Sequence, residues 1–214
     1  MKKSVYSLVL MDDVVAQVDR MAYSMHTNRS NMINQILAEY CSMLTPEMRM
    51  QSALSRLEQM LGQGGFQPLA QPTGTILMVR SALNYKYNPS VRYRVELFRN
   101  MEPEFGQLQV QLRTQNRELI YYVNEFMVLW AKLEQVYLDH PRETVENGRF
   151  LRNLRFSEAL SQDGDAIGNA IGDYVNYFDR ALKIYFDYLD RPAIAARGVE
   201  EVMQEYCRSE GVIV

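Results

Sequence analysis

Cysteine is scarce in this chain: Cys41 and Cys207 are the two in 214 residues. That is too few for a disulfide framework, and both sit in apolar, helix-like contexts, so buried free thiols are expected. Histidine is as rare, with His26 and His140 each isolated in the sequence. No cluster of His, Cys and carboxylates has the spacing of metal ligands, so neither a metal site nor another cofactor is expected. No Ser–His or Cys–His pair stands out, and no glycine loop that would cradle a phosphate follows a strand, so the expectation is not an enzyme. No apolar run approaches the roughly 20 residues of a membrane span. Behind Lys2 and Lys3 the apolar stretch is soon interrupted by Asp12 and Asp13. A cytoplasmic protein without a membrane partner is the expectation. A charge excess is missing too: the formal net charge is −3, which excludes a globally basic nucleic-acid binder.

What is present is an ordinary globular composition, 47% apolar and 23% charged, with charge distributed unevenly along the chain. Residues 1–60 carry six basic and six acidic residues, residues 74–117 seven against three, and residues 118–214 ten against seventeen. The middle is basic and the C-terminal half acidic.

The stretch SVYSLVLMDD, residues 4–13, reads as one short strand running into a helix. Tyr6, Leu8 and Leu10 share one face; Val5, Ser7 and Val9 share the other. Val14, Val18, Met21, Ala22 and Met25 then fall on one helical stripe, with Asp12 and Asp13 at the positive end of the helix dipole. His26-Thr27 makes a turn, and Asn28 is a fitting N-cap for a second helix with Met32, Ile33, Ile36, Leu37 and Tyr40 inward. A lone strand needs a partner for its backbone groups, and a second copy of the chain is the economical one.

This pattern, MKKSVYSLVLMDDVVAQVDRMAYSMHTNRSNMINQILAEY, resembles the ribbon-helix-helix repressors of the Arc, MetJ and CopG type over residues 1 to about 44. The resemblance implies an intertwined homodimer through residues 4–44, an antiparallel ribbon in the major groove of double-stranded DNA, and base contacts from Val5, Ser7 and Val9. It implies phosphate contacts from Asn28, Arg29 and Ser30 at the start of the second helix, with Lys2 and Lys3 beside the ribbon. The sequence departs from the family in three respects. Two valines stand where polar ribbon residues are common, His26 stands where glycine often ends the first helix, and residues 1–60 carry no net charge.

A third helix is predicted behind Thr45 and Pro46, running from Met48 to Leu61. Residues 1–61 then form the first module, and Gly62–Gly74, with four glycines and two prolines in thirteen residues, reads as the linker to a second domain, 75–214. That domain opens with three strand patterns, TILMVRSALNYKY, VRYRVELF and QLQVQLRT, followed by helices over roughly 115–138, a broken segment at 149–160, 166–190 and 193–208. The expected class is α+β: the ribbon-helix-helix, a helical connection, and an antiparallel three-stranded sheet packed by helices.

Alternation puts Arg and Gln on one face of that sheet. Arg80, Lys86, Arg92, Arg94 and Arg113 are a candidate anion or partner face, for a phosphorylated small molecule or a nucleic-acid backbone. The plainer reading is a solvated face, or one paired with the acidic helices. Tyr85, Tyr87 and Tyr93 accompany the arginines, and such aromatics can stack on unpaired bases, but Tyr93 alternates into the core. Gly164, Gly168 and Gly172 recur at four-residue spacing, which suits close helix packing. The functional expectation is a dimeric DNA-binding transcriptional regulator whose C-terminal domain senses a ligand or binds a protein. The alternative is an assembly protein that uses its first module only to dimerise.

Overall fold

The computed structural model describes residues 5–41, 43–98, 104–138, 143–146, 148–155 and 163–209. The chain divides into two compact units, 1–48 and 49–214.

In the smaller unit, residues 5–11 carry no regular secondary structure, so among the described residues the first elements are helices rather than the expected strand. A strand is held by ladder hydrogen bonds to a neighbour, and a single chain supplies none here. Helices α1 (Asp12–Ser24) and α2 (Arg29–Tyr40) follow. His26 sits at φ 50°, the left-handed conformation that the missing glycine would have taken. Among the described residues only Val18, Ala22 and Met32 are buried between the helices, with Ile33 and Ile36 against them.

Helix α3 (Pro46–Gln63) starts behind Thr45, whose Oγ1 accepts the Met48 amide hydrogen bond at 3.1 Å. The division between the units falls inside α3, not in Gly62–Gly74. That stretch belongs to the larger unit: Phe66 is buried in its core, and β1 (Gln67–Pro68) pairs with β2 (Ile76–Ala82).

The sheet of the larger unit is mixed with helices as expected, but among the described residues it has six antiparallel strands rather than three. β3 (Ser90–Leu97) and β4 (Glu104–Leu112) continue the meander. The chain then passes through α4 (Arg117–Tyr137) into the hairpin β5 (Glu143–Glu146) and β6 (Arg149–Arg155), giving the order β1-β2-β3-β4-β6-β5. β6 replaces the helix expected from residue 149; residues 156–160 of that expectation lie outside the described residues. Helices α5 (Gly164–Asp187) and α6 (Pro192–Cys207) complete the unit.

Buried residues of α3, α4, α5 and α6 join those of the strands in one core. At its centre Phe178 packs against Phe126, Trp130 and Phe150, with ring centroids 5.1–5.3 Å apart. The glycine stripe of α5 does what its spacing implied. A Cβ on Gly164 or Gly168 would lie 2.7 or 2.5 Å from a backbone carbonyl of α3, so only glycine allows this approach. The two cysteines depart from expectation: Cys41 is exposed and Cys207 half-buried.

A candidate anion-binding face on the sheet

Among the described residues, the helices of the larger unit pack on one face of the sheet. Alternate residues of β2, β3, β4 and β6 are buried there, while their neighbours on the opposite face are exposed or half-exposed throughout. Register aligns this open face into transverse rows. One row crosses all six strands, Gln67–Arg80–Arg92–Gln111–Arg149–Glu146, each residue directly opposite the next. With strands roughly 4.8 Å apart the row is about 24 Å long.

The rows differ in charge balance. Toward the far end of the strands, Arg94 pairs with Glu96 at 2.7 Å and Arg155 with Glu104 at 3.7 Å. There Gln107 donates to Asn153 at 3.1 Å, and Asn153 to Glu104 at 2.9 Å. In the transverse row, Arg80 donates to the Gln67 side-chain carbonyl at 3.1 Å. Arg80, Arg92 and Arg149 have no carboxylate in ion-pair contact among the described residues, although Glu146 faces Arg149 across the strand pair. Arg80 and Arg92 are direct cross-strand neighbours, an arrangement of like charges that costs about 1 kcal/mol in water.

The predicted residues separate accordingly. Arg80 and Arg92 stand side by side, and Arg94 lies one row away in its ion pair. Lys86, in the β2–β3 hairpin, lies 3.7 Å from Glu118 of α4, the internal pairing the plainer reading anticipated. Arg113 follows β4 and lines an open pocket of about 550 Å³ with Gln111, Thr114, Gln115 and Ile120. Arg149 was missed because its segment reads as helix; the Asn147-Gly148 dipeptide, a strong hairpin signal, marks the strand instead.

The three strand tyrosines also part company. Tyr93 is buried, its hydroxyl donating to Asp179 at 2.7 Å, and burial raises its phenol well above the ordinary range. Tyr85 packs edge-on against Phe186 with centroids 5.6 Å apart. Tyr87 is 100% exposed at the hairpin tip. It stands at φ 67°, followed by Asn88 at φ 45°. A tyrosine in the left-handed region is uncommon, and such strain gathers at functional sites.

In the smaller unit, Val5, Ser7 and Val9 are exposed, and Lys2 and Lys3 lie outside the described residues. Asn28 caps α2, its side chain accepting from the Asn31 amide at 2.9 Å. The amides of Arg29 and Ser30 belong to the first turn, which has no intrahelical acceptors. The Arg29 guanidinium, however, is held by Asp19, with Nε–Oδ1 at 2.7 Å and Nη2–Oδ2 at 2.5 Å. These hydrogen bonds lower the Asp19 carboxyl below its ordinary range.

Among the described residues no three His, Cys, Asp or Glu side chains gather as a metal site would require, and no helix is long and apolar enough to cross a membrane. Compared with known proteins, the chain matches no family model, no curated protein and no solved structure.

Proposed function

We propose that this protein is a dimeric, cytoplasmic DNA-binding transcriptional regulator. Residues 4–44 pair with a second copy as a ribbon-helix-helix, and the larger unit senses a ligand or binds a partner. The observation that carries the reading is the apolar surface the smaller unit leaves in water. Tyr6, Leu8 and Leu10, the inward face of the expected strand, are all exposed, as are Val14, Met21, Met25 and Leu37 on the inner stripes of α1 and α2. Covering a leucine of this kind contributes roughly 1.5–3 kcal/mol, and the three buried among the described residues make a core too small to hold two helices alone. An antiparallel pairing of two such segments covers these residues and supplies each strand with its missing ladder.

The Arg29–Asp19 ion pair favours a second reading, in which this module only joins two chains of an assembly protein. An arginine already held by a carboxylate offers less charge to a phosphate. Fluorescence anisotropy of the full-length protein on its own upstream DNA and on a scrambled duplex, at low and physiological salt, separates the two. The regulator prefers its own DNA at physiological salt. Arg29→Ala then weakens all duplexes alike, by about one unit of salt slope, and Ser7→Ala erodes the preference. Asp19→Ala, by freeing Arg29, strengthens binding to both duplexes. Equal, salt-sensitive loss on both duplexes, or no binding at all, leaves only the dimer clasp.

A further inference from the structure

We infer that the open face of the six-stranded sheet binds the phosphodiester backbone of a single-stranded nucleic acid, laid across the strands along Arg80, Arg92 and Arg149. This goes beyond the ribbon reading and rests on different residues. Three observations carry it.

The first is charge. Three arginines stand in one transverse row without a carboxylate in ion-pair contact among the described residues, two of them directly opposed. Guanidinium groups placed side by side repel each other until an anion sits between them, and a chain of phosphates supplies successive anions along a row. The open face of the sheet neutralises its other arginines, Arg94 and Arg155, with Glu96 and Glu104. The imbalance is therefore local to this row.

The second is what lies between the arginines. Gln111 stands between Arg92 and Arg149, Gln67 ends the row beyond Arg80 and Glu146 ends it beyond Arg149, and Gln109 and Gln107 follow on β4. Side-chain amides carry donors and acceptors together, which suits the edges of unpaired bases; a bare inorganic anion has no use for the acceptors.

The third is Tyr87. Its ring is fully exposed in a left-handed backbone conformation, at the hairpin that closes the same end of the sheet as the row. A flat aromatic surface held in water stacks on a base only when that base is unpaired, so it points to a single strand over a duplex. The length of the row, about 24 Å, corresponds to the short end of the roughly 4–16 nucleotides such sites cover.

The test uses the full-length protein and a fluorescein-labelled single strand of mixed sequence, about 20 nucleotides long. Affinity is followed against salt for the wild type, an Arg80→Gln/Arg92→Gln/Arg149→Gln variant, Tyr87→Ala, and the ribbon variant Ser7→Ala. All the sheet positions are exposed or half-exposed, and an unchanged melting temperature verifies that each variant folds. The expected result is wild-type binding that persists in Ser7→Ala. The triple variant shortens the salt slope by about two units, from roughly 0.7 per phosphate contact. Tyr87→Ala weakens binding roughly five- to 150-fold. Absence of wild-type binding overturns the inference, as does a triple variant that binds like wild type. Equal affinity for a duplex through the same arginines makes this a duplex surface and overturns it too. So does competition by polyglutamate as effective as by the strand, with Tyr87→Ala silent, which makes it a surface for an acidic protein. Because Ser7→Ala acts on operator preference alone, failure of the ribbon reading and failure of this one give different results.

Discussion

Arg152 and Glu134 are both fully buried, joined by an ion pair of 2.7 Å between Nε and Oε1. The Tyr174 hydroxyl donates to the same Glu134 oxygen at 2.8 Å and accepts from the Trp130 indole N–H at 3.0 Å. The guanidinium also lies 4.6 Å from the centre of the Tyr174 ring. Burial pushes the Glu134 carboxyl above its ordinary range, while the facing Arg152 pulls it back toward the charged form. Removing one partner strands the other charge away from water. Glu134→Leu is therefore expected to cost about 3–5 kcal/mol in urea unfolding, and Glu134→Leu/Arg152→Met to recover most of it. A double variant as unstable as the single one would mean that the pair holds the fold by more than its own charge balance. The buried phenols carry a second prediction. Burial raises Tyr93 and Tyr174 well above 10.0, so the folded state keeps their protons where the unfolded chain loses them. Their contribution is complete below pH 10 and is lost as pH rises beyond it. Unfolding free energy should fall by about 1.4 kcal/mol per pH unit for each of the two phenols, and Tyr93→Phe should remove one of the two slopes.

The contact between α3 and α5 depends on the absence of side chains. A Cβ at Gly168 would stand 2.5 Å from the Ala53 carbonyl oxygen and 2.8 Å from the Arg56 Cβ. Gly168→Ala should force the helices apart at a cost of about 1–3 kcal/mol. At Gly62, also helical, nothing lies within 4 Å of the added atom. Gly62→Ala should instead stabilise by roughly 0.5–1 kcal/mol through the helix preference alone. Thermal melts of the two variants should thus shift in opposite directions; a shared direction would show that packing is not what sets the sign. Helix ends were legible in the sequence because caps act locally. Asn28 and Thr45, the two caps expected, both accept hydrogen bonds from the first turns of their helices. β6 was not legible. Its buried face is Phe150, Arg152 and Leu154, and an arginine at an inward position breaks the apolar alternation that announces a strand.

For the whole molecule, the proposed dimer makes a prediction of mass. Sedimentation equilibrium of the full-length protein should give two chains per particle, and Leu8→Asp with Leu10→Asp should return it to one while the larger unit keeps its melting transition. Two chains per particle in the double variant would place the dimer contact elsewhere. The sequence by itself determined the features that arise within a few residues: the period of each helix, the caps, the left-handed turn at His26, and the alternation of the central strands. It also made the open face legible as Arg- and Gln-rich, because a strand's two faces follow from a period of two. The tertiary structure alone decided which distant groups meet. Glu134 makes an inward Arg152 tolerable and so makes β6 a strand. β6 in turn brings Arg149 into register with Arg80 and Arg92, extending a pair of arginines into a row. The division of the chain was likewise tertiary. Gly62–Gly74 has a linker's composition, yet Phe66 within it finds a buried place in the larger unit. Burial is a property of surroundings gathered from the whole fold, and no local stretch of sequence contains it.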